Sequence, residues 1–190
     1  MEYIIIGAII AIIAYVIAVY NGLVKARQMV REAWSGIDVQ LKRRSNLIPN
    51  LIETVKGYAN HEADTLAEVT EMRTAAGNVR SDDVAGRSAA EGMLGMALGK
   101  LMAVAEAYPD LKANEGFRDL QNSLEEIENE IQMSRRYYNG TARDLNTKVE
   151  SFPSNLVAGQ FGFAQADYFE IENAAERAVP KVDFLSLIHI

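Results

Sequence analysis

Residues 1–20, MEYIIIGAIIAIIAYVIAVY, are apolar on every side and carry no side-chain charge except that of Glu2. From Tyr3 to Tyr20 the run is about 18 residues long, ~27 Å as an α-helix, close to the hydrocarbon thickness of a bilayer. An amphipathic helix can hide one stripe against a core, but a helix apolar all round needs apolar surroundings on every side. The run therefore predicts an anchor over residues 1–22 that meets the lipid bilayer through residues 3–20, followed by one water-facing domain over 23–184. A cleaved leader fits less well. No Lys or Arg precedes the run, and Ala18-Val19-Tyr20-Asn21 puts an aromatic ring where cleavage needs a small side chain. Basic residues begin just after the run with Lys25, Arg27 and Arg31. Such residues stay on the cytoplasmic side of a span, which predicts a single pass with the N-terminus outside and the domain in the cytoplasm.

Charge and composition narrow the function classes. The formal net charge is −7, which argues against nucleic acid as a partner because phosphate binding needs a basic surface. With no cysteine there is no disulfide framework, no lipid-modified N-terminal Cys and no thiol nucleophile. Four prolines and few β-branched runs beyond the anchor predict an almost wholly helical chain.

The helices can be followed by their apolar stripes. Leu23, Val30 and Ile37 begin one that continues through Leu41, Ile48, Leu51, Ile52, Val55, Tyr58, Leu66 and Val69. Pro49 lacks an N–H and crowds the carbonyl four residues back, so a kink or break is expected near Asn46–Ile48. The pattern lapses between Thr74 and Gly92, where Gly77, Asn78, Asp83 and Gly86 predict a connection and Ser81 or Asp82 a helix cap. A second helix runs from Met93 to Tyr108, ended by Pro109-Asp110. The third has the cleanest pattern, a seam of coiled-coil or long-bundle type through Phe117, Leu120, Leu124, Ile127, Ile131, Ser134, Tyr138, Thr141, Leu145, Val149 and Phe152. Ser134 and Thr141 are polar insertions suited to fixing register against a neighbour.

Phe152-Pro153 stops that helix, and the following segment reads as a short helix, a turn and an extended tail. Its aromatics Phe161, Phe163, Tyr168, Phe169 and Phe184 are expected to cover one end of the bundle. The fold class is thus all-α: an N-terminal transmembrane helix followed by an up-and-down bundle of three long helices plus a short C-terminal helix. The last six residues, LSLIHI, continue no helical pattern. They can be read from CTG TCT CTT ATA CAC ATC, the transposase adapter of sequencing libraries, so residues 185–190 are taken as an artefact and His189 enters no site.

Blocks along the chain resemble LemA family proteins in order and spacing: YNGLVKARQMVREAWSGIDVQLKRRSNLIPNLIETVKGYANHE, AEAYPDLKANEGFRDLQ, IENEIQMSRRYYNGTARDLN, FPSNLVAGQFGF and PKVDF. The resemblance covers Tyr20 to Phe184 and is weakest over Thr74 to Met96; Asn46 and Ile52 depart mildly from the usual acidic residue and valine. It implies a bacterial cell (inner) membrane protein with one N-terminal span, a helical-bundle domain and no established enzymatic activity. The family also includes a magnetosome-associated membrane protein, and some relatives neighbour genes for a membrane zinc protease.

Chemistry is sparse. A zinc-protease helix needs a second histidine four residues after the first, and His61-Glu62 lacks it. No Glu-x-x-His pair, Gly-x-Ser-x-Gly elbow, phosphate loop or dinucleotide fingerprint occurs, and no cofactor is expected. A carboxylate site from Glu62, Glu68 and Glu71 reads more simply as a solvated face.

Two polar clusters remain. Glu32, Asp38, Gln40, Arg43 and Arg44 lie on the first helix, and Glu128, Asn129, Arg135, Arg136, Asn139, Arg143 and Asn146 on the third. Antiparallel helices would let them meet as interhelical ion pairs, or they would form a partner surface. The expected function is a non-catalytic scaffold or adaptor at the membrane, binding membrane-associated proteins, with self-association left open. The alternatives are a regulatory partner of a membrane protease or envelope-stress system, and a carboxylate-dependent hydrolase.

Overall fold

The computed structural model describes residues 1–59 and 61–170. Phe184, the expected domain end and the 185–190 segment lie outside them. Among the described residues six helices follow one another: α1 (Glu2–Lys56), α2 (Ala63–Asn78), α3 (Val84–Ala105), α4 (Pro109–Ala113), α5 (Glu115–Glu150) and α6 (Ser154–Gln160). No strand occurs among the described residues. The N-terminal part of α1 is long and apolar enough to cross a membrane, and no residue of that stretch is fully buried by the other described residues.

The stripe that reads as one helix from Leu23 to Val69 is two. α1 ends at Lys56, and Leu66 and Val69 face the core from α2, which folds back along α1. A 3.6-residue period survives a short reversal if both helices bury the same kind of face, so periodicity alone does not reveal the turn.

Pro49, by contrast, does not break α1. A proline orphans the carbonyl four residues before it, here that of Ser45. Arg73 on α2 donates its Nε–H to the Ser45 oxygen at 2.9 Å, so the orphaned acceptor is satisfied by the neighbouring helix.

The region 74–92 is mostly helical. The connection is confined to residues 79–83, and the cap is Asp83, whose Oδ1 accepts from the Gly86 N–H at 2.8 Å, rather than Ser81 or Asp82. Pro109 opens α4, where a missing N–H costs nothing. Asn114 then caps α5 by accepting from the Phe117 N–H at 2.9 Å.

Helices α1, α2, α3 and α5 run up, down, up and down. They bury two separate apolar clusters. One joins the end of α1 (Ile48, Leu51, Val55) to α2, α3, α4 and the start of α5 (Phe117, Leu124). The other joins Leu23–Leu41 of α1 to Ile127–Leu145 of α5, to α6 and to the segment after it. In the α5 seam Ile127, Ile131 and Tyr138 are buried as expected, but Phe152 is exposed. Thr141 sets no register, since its hydroxyl donates to the Tyr138 carbonyl of its own helix at 2.8 Å.

Residues 163–170 form an extended strap along the α1–α5 groove rather than a cap over one end. Phe163 and Phe169 are buried in it, whereas Phe161 and Tyr168 are exposed. Two asparagines on α5 hold the strap in the manner of a β-ladder. Asn146 donates to Ala166 O at 2.9 Å and accepts from Ala166 N–H at 2.7 Å. Asn139 does the same with Phe169, at 3.1 and 2.9 Å. Spaced seven apart, the two amides lie on one face of α5, and they meet strap residues three apart.

Candidate functional site

Arg44 lies on the buried face of α1, between Leu41 of one apolar cluster and Ile48 of the other. A charge carried into a core must be paired there. Its Nη2 meets Glu91 Oε2 on α3 at 2.6 Å, and its Nη1 meets Glu128 Oε2 on α5 at 2.7 Å. Arg87, one turn before Glu91, places Nε 3.0 Å from Glu91 Oε1 and Nη2 3.7 Å from Asp38 Oδ1. Asp38 also takes Lys42 at 2.6 Å, and Gln132 donates to Glu128 at 3.1 Å.

The result is a chain of alternating charge, Lys42, Asp38, Arg87, Glu91, Arg44 and Glu128, that crosses three helices where the two apolar clusters abut. Arg44 and Glu91 are 3% and 2% exposed, so this is a desolvated pair. Such pairs add little net stability over apolar side chains of the same shape, but losing one member is costly.

Arg44, Glu91 and Glu128 of this cluster line an open groove of about 610 Å³ between α3 and α5. Gly92, Gly95, Met96, Gly99 and Met102 line its α3 wall, and Gln121, Glu125, Gln132 and Arg135 line the α5 wall. A Cβ placed on Gly95 or Gly99 would meet nothing within 4 Å. Glycine inside a helix costs about 1 kcal/mol relative to alanine, and no packing among the described residues requires it here.

Of the residues singled out by sequence, Asp38, Arg44 and Glu128 come together, and Arg135 lines the same groove. Glu32, Arg43 and Arg136 are exposed, Arg43 donating only to Gln40 of its own helix at 3.0 Å. Asn139 belongs to the strap clamp and not to an interhelical ion pair. Sequence reasoning missed Arg87, Glu91 and Arg73. The Arg87–Glu91 spacing of four, followed by Leu94, Leu98 and Leu101, was the available signal that α3 begins earlier.

Two of the three carboxylates considered as a site, Glu62 and Glu68, are engaged elsewhere. Glu68 pairs with Lys100 at 2.6 Å, and Glu62 accepts from the Tyr108 hydroxyl at 3.0 Å, which pushes the Tyr108 hydroxyl above its ordinary pKa. His61 is exposed. No group of three His, Cys, Asp or Glu side chains is placed to hold a metal ion among the described residues.

Known proteins are similar to this chain over most of its length. Residues 33–184 match the LemA family. Magnetosome protein MamQ 2 of Paramagnetospirillum magneticum is 28% identical over 196 residues, spanning 90% of this chain and 72% of that protein. Magnetosome protein MamQ of Magnetospirillum gryphiswaldense is 25% identical, spanning 96% and 77%. Protein LemA of Metamycoplasma hominis is 29% identical over 152 residues, spanning 79% and 68%.

Proposed function

The chain belongs to the LemA family, and from that premise we propose that it is a membrane-tethered, non-catalytic scaffold. Residues 3–20 form a single-pass anchor in a bacterial cytoplasmic membrane, and the bundle faces the cytoplasm, the side on which Lys25, Arg27 and Arg31 lie. The working surface is the α3–α5 groove, and its occupant is a helical segment of a protein partner.

One observation carries this reading: Gly95 and Gly99, four apart inside α3, face open space in a groove that the other described residues leave unfilled. Glycines so spaced let another helix approach to backbone distance. Met96 and Met102 beside them adapt to varied apolar side chains. Glu125 and Glu128 on one wall and Arg135 at its end suit a partner helix with basic residues near its middle and an acidic one beyond.

The test is site-specific photo-crosslinking in native membranes. A photoreactive residue at Met96 gives a discrete protein adduct, and one at the exposed Asp144 does not. Gly99→Leu, whose Cβ would meet nothing within 4 Å among the described residues, obstructs the groove and abolishes the Met96 adduct. Equal labelling from both positions, or an adduct indifferent to Gly99→Leu, would overturn the groove reading.

A further inference from the structure

We propose that the base of the bundle is a second membrane contact, in which Phe152, Leu156 and Phe161 sit in the bilayer interface beside the anchor. This rests on the anchor reading above and extends it from the span to the folded domain.

The register of α1 against α5 locates these residues. Arg44 faces Glu128, and Trp34 packs on Tyr138 with ring centroids 5.4 Å apart. Ten residues along α1 thus match ten along α5 in the opposite direction. Continued, this register brings Glu150, the last residue of α5, level with Gly22, immediately after the apolar run. Phe152 and α6 therefore lie at the run itself, and the Tyr20 ring packs on Phe161 at 4.9 Å.

The overlap goes deeper than the end of the run. Val16 and Val19, inside it, are already packed against the apolar cluster that contains Val157, Ala158 and Phe163. If everything from Val16 onward stood in water, the span would shrink to Tyr3–Tyr15, about 13 residues or ~20 Å. A hydrocarbon core of ~30 Å needs about 20. The span reaches full length only if α6 lies at the depth of the interface.

The side chains at that depth suit it. α6 buries Val157 and Ala158 against the bundle and leaves Leu156 64% exposed; Phe152 is 79% and Phe161 53% exposed. Large apolar side chains gathered at one end of a water-facing domain need a covering, and aromatic rings favour the headgroup boundary. Basic groups stand just above. Lys25 and Lys148 are exposed at matching levels of α1 and α5, and the Arg27 guanidinium lies 4.8 Å over the Phe163 ring. Long basic side chains there reach lipid phosphates while their stems stay on apolar surface. Glu150, the acidic residue at this level, takes a hydrogen bond from Gln165 at 2.6 Å.

Because the chain has no cysteine, single spin labels report depth cleanly. The full chain is reconstituted in phosphatidylcholine–phosphatidylglycerol vesicles with a label at Phe152→Cys, Leu156→Cys, Ile10→Cys or Asp110→Cys. The expected result is preferential collision with oxygen over a polar nickel chelate at positions 152 and 156, as at position 10, and the inverse at position 110. If 152 and 156 behave as 110 does while 10 remains in lipid, the seat is wrong and the anchor stands. If position 10 also reads as aqueous, the anchor reading fails and the seat with it. Low collision with both reagents at 152 and 156 places a protein surface there and overturns the proposal.

Discussion

Arg73 donates to the Ser45 carbonyl across the α1–α2 interface at 2.9 Å, supplying the hydrogen bond that Pro49 removes from α1. A residue acceptable to any surface helix is thereby tied to a proline 24 positions earlier.

Arg73→Ala should therefore destabilise the bundle by about 1–3 kcal/mol, the range for a part-buried acceptor that loses a hydrogen bond from a charged donor. Pro49→Ala restores an N–H to the Ser45 carbonyl. In the double variant the cost of losing Arg73 should fall to a few tenths of a kcal/mol, about the scale of an ordinary surface change. Urea melts of the four proteins in detergent form the double-mutant cycle. Equal effects of Arg73→Ala in both backgrounds would show that its packing, not this bond, matters.

At the junction of the two cores, Glu91→Leu removes the carboxylate shared by Arg44 and Arg87. It leaves two buried guanidinium groups short of an acceptor and should cost ~3–5 kcal/mol. Replacing Arg44 and Glu91 together with leucine should cost much less than the sum of the single changes. Strict additivity in thermal melts would mean that the pair is not coupled.

The asparagine clamps give a local prediction. Asn146→Ala removes both hydrogen bonds to Ala166 and should lower stability by about 1–3 kcal/mol. Amide exchange should rise first in residues 163–170, ahead of α5. Asn139→Asp keeps an acceptor for Phe169 N–H but sets a carboxylate against the Phe169 carbonyl, so it should free the strap as well. Unchanged exchange in the strap would show that the aromatic packing alone holds it.

Tyr138 is buried, and desolvation, with the nearby Asp167 charge, pushes its hydroxyl from 10.0 up to about 12. Its O–H donates to the Asp167 carbonyl at 2.8 Å. A raised pKa means that the folded state holds the proton more tightly. The resulting stability is complete below pH 10 and is lost as pH rises from there through about 12. Tyr138→Phe should remove that component of the alkaline loss, and difference titration of tyrosinate absorbance should lack the late-titrating group. An identical alkaline profile in the variant would assign the loss elsewhere.

The proposed orientation is checked at Ser81, which is exposed in the α2–α3 connection. Ser81→Cys should resist a membrane-impermeant thiol reagent in intact cells and react after lysis. Reaction in intact cells whose outer barrier has been permeabilised would reverse the topology.

The long α5 seam was legible from spacing because one face of one helix is a local property. The N-terminal helix of membrane-crossing length was legible for the same reason: a run apolar on all sides admits few environments. The α1–α2 reversal was hidden because both helices bury similar faces, and the early start of α3 because Arg87 and Glu91 read as polar connection. Arg44 and Glu128 could be picked out as charges near apolar stripes, but their shared partner on α3 could not.

Sequence by itself determined the helical class, the apolar helix of membrane-crossing length, the buried faces of α1 and α5 and the lack of familiar catalytic motifs. These follow from periodicity, length and residue chemistry, which act within a few turns of chain. Tertiary structure alone decided that Arg73 repairs Pro49, that Glu91 joins Arg44 to Arg87, and that Asn139 and Asn146 hold the strap. Each of those joins residues distant in sequence, and the identity of a buried polar partner is set by where the backbone brings it. A lone polar residue announces that it needs a partner, and only the fold says which one it finds.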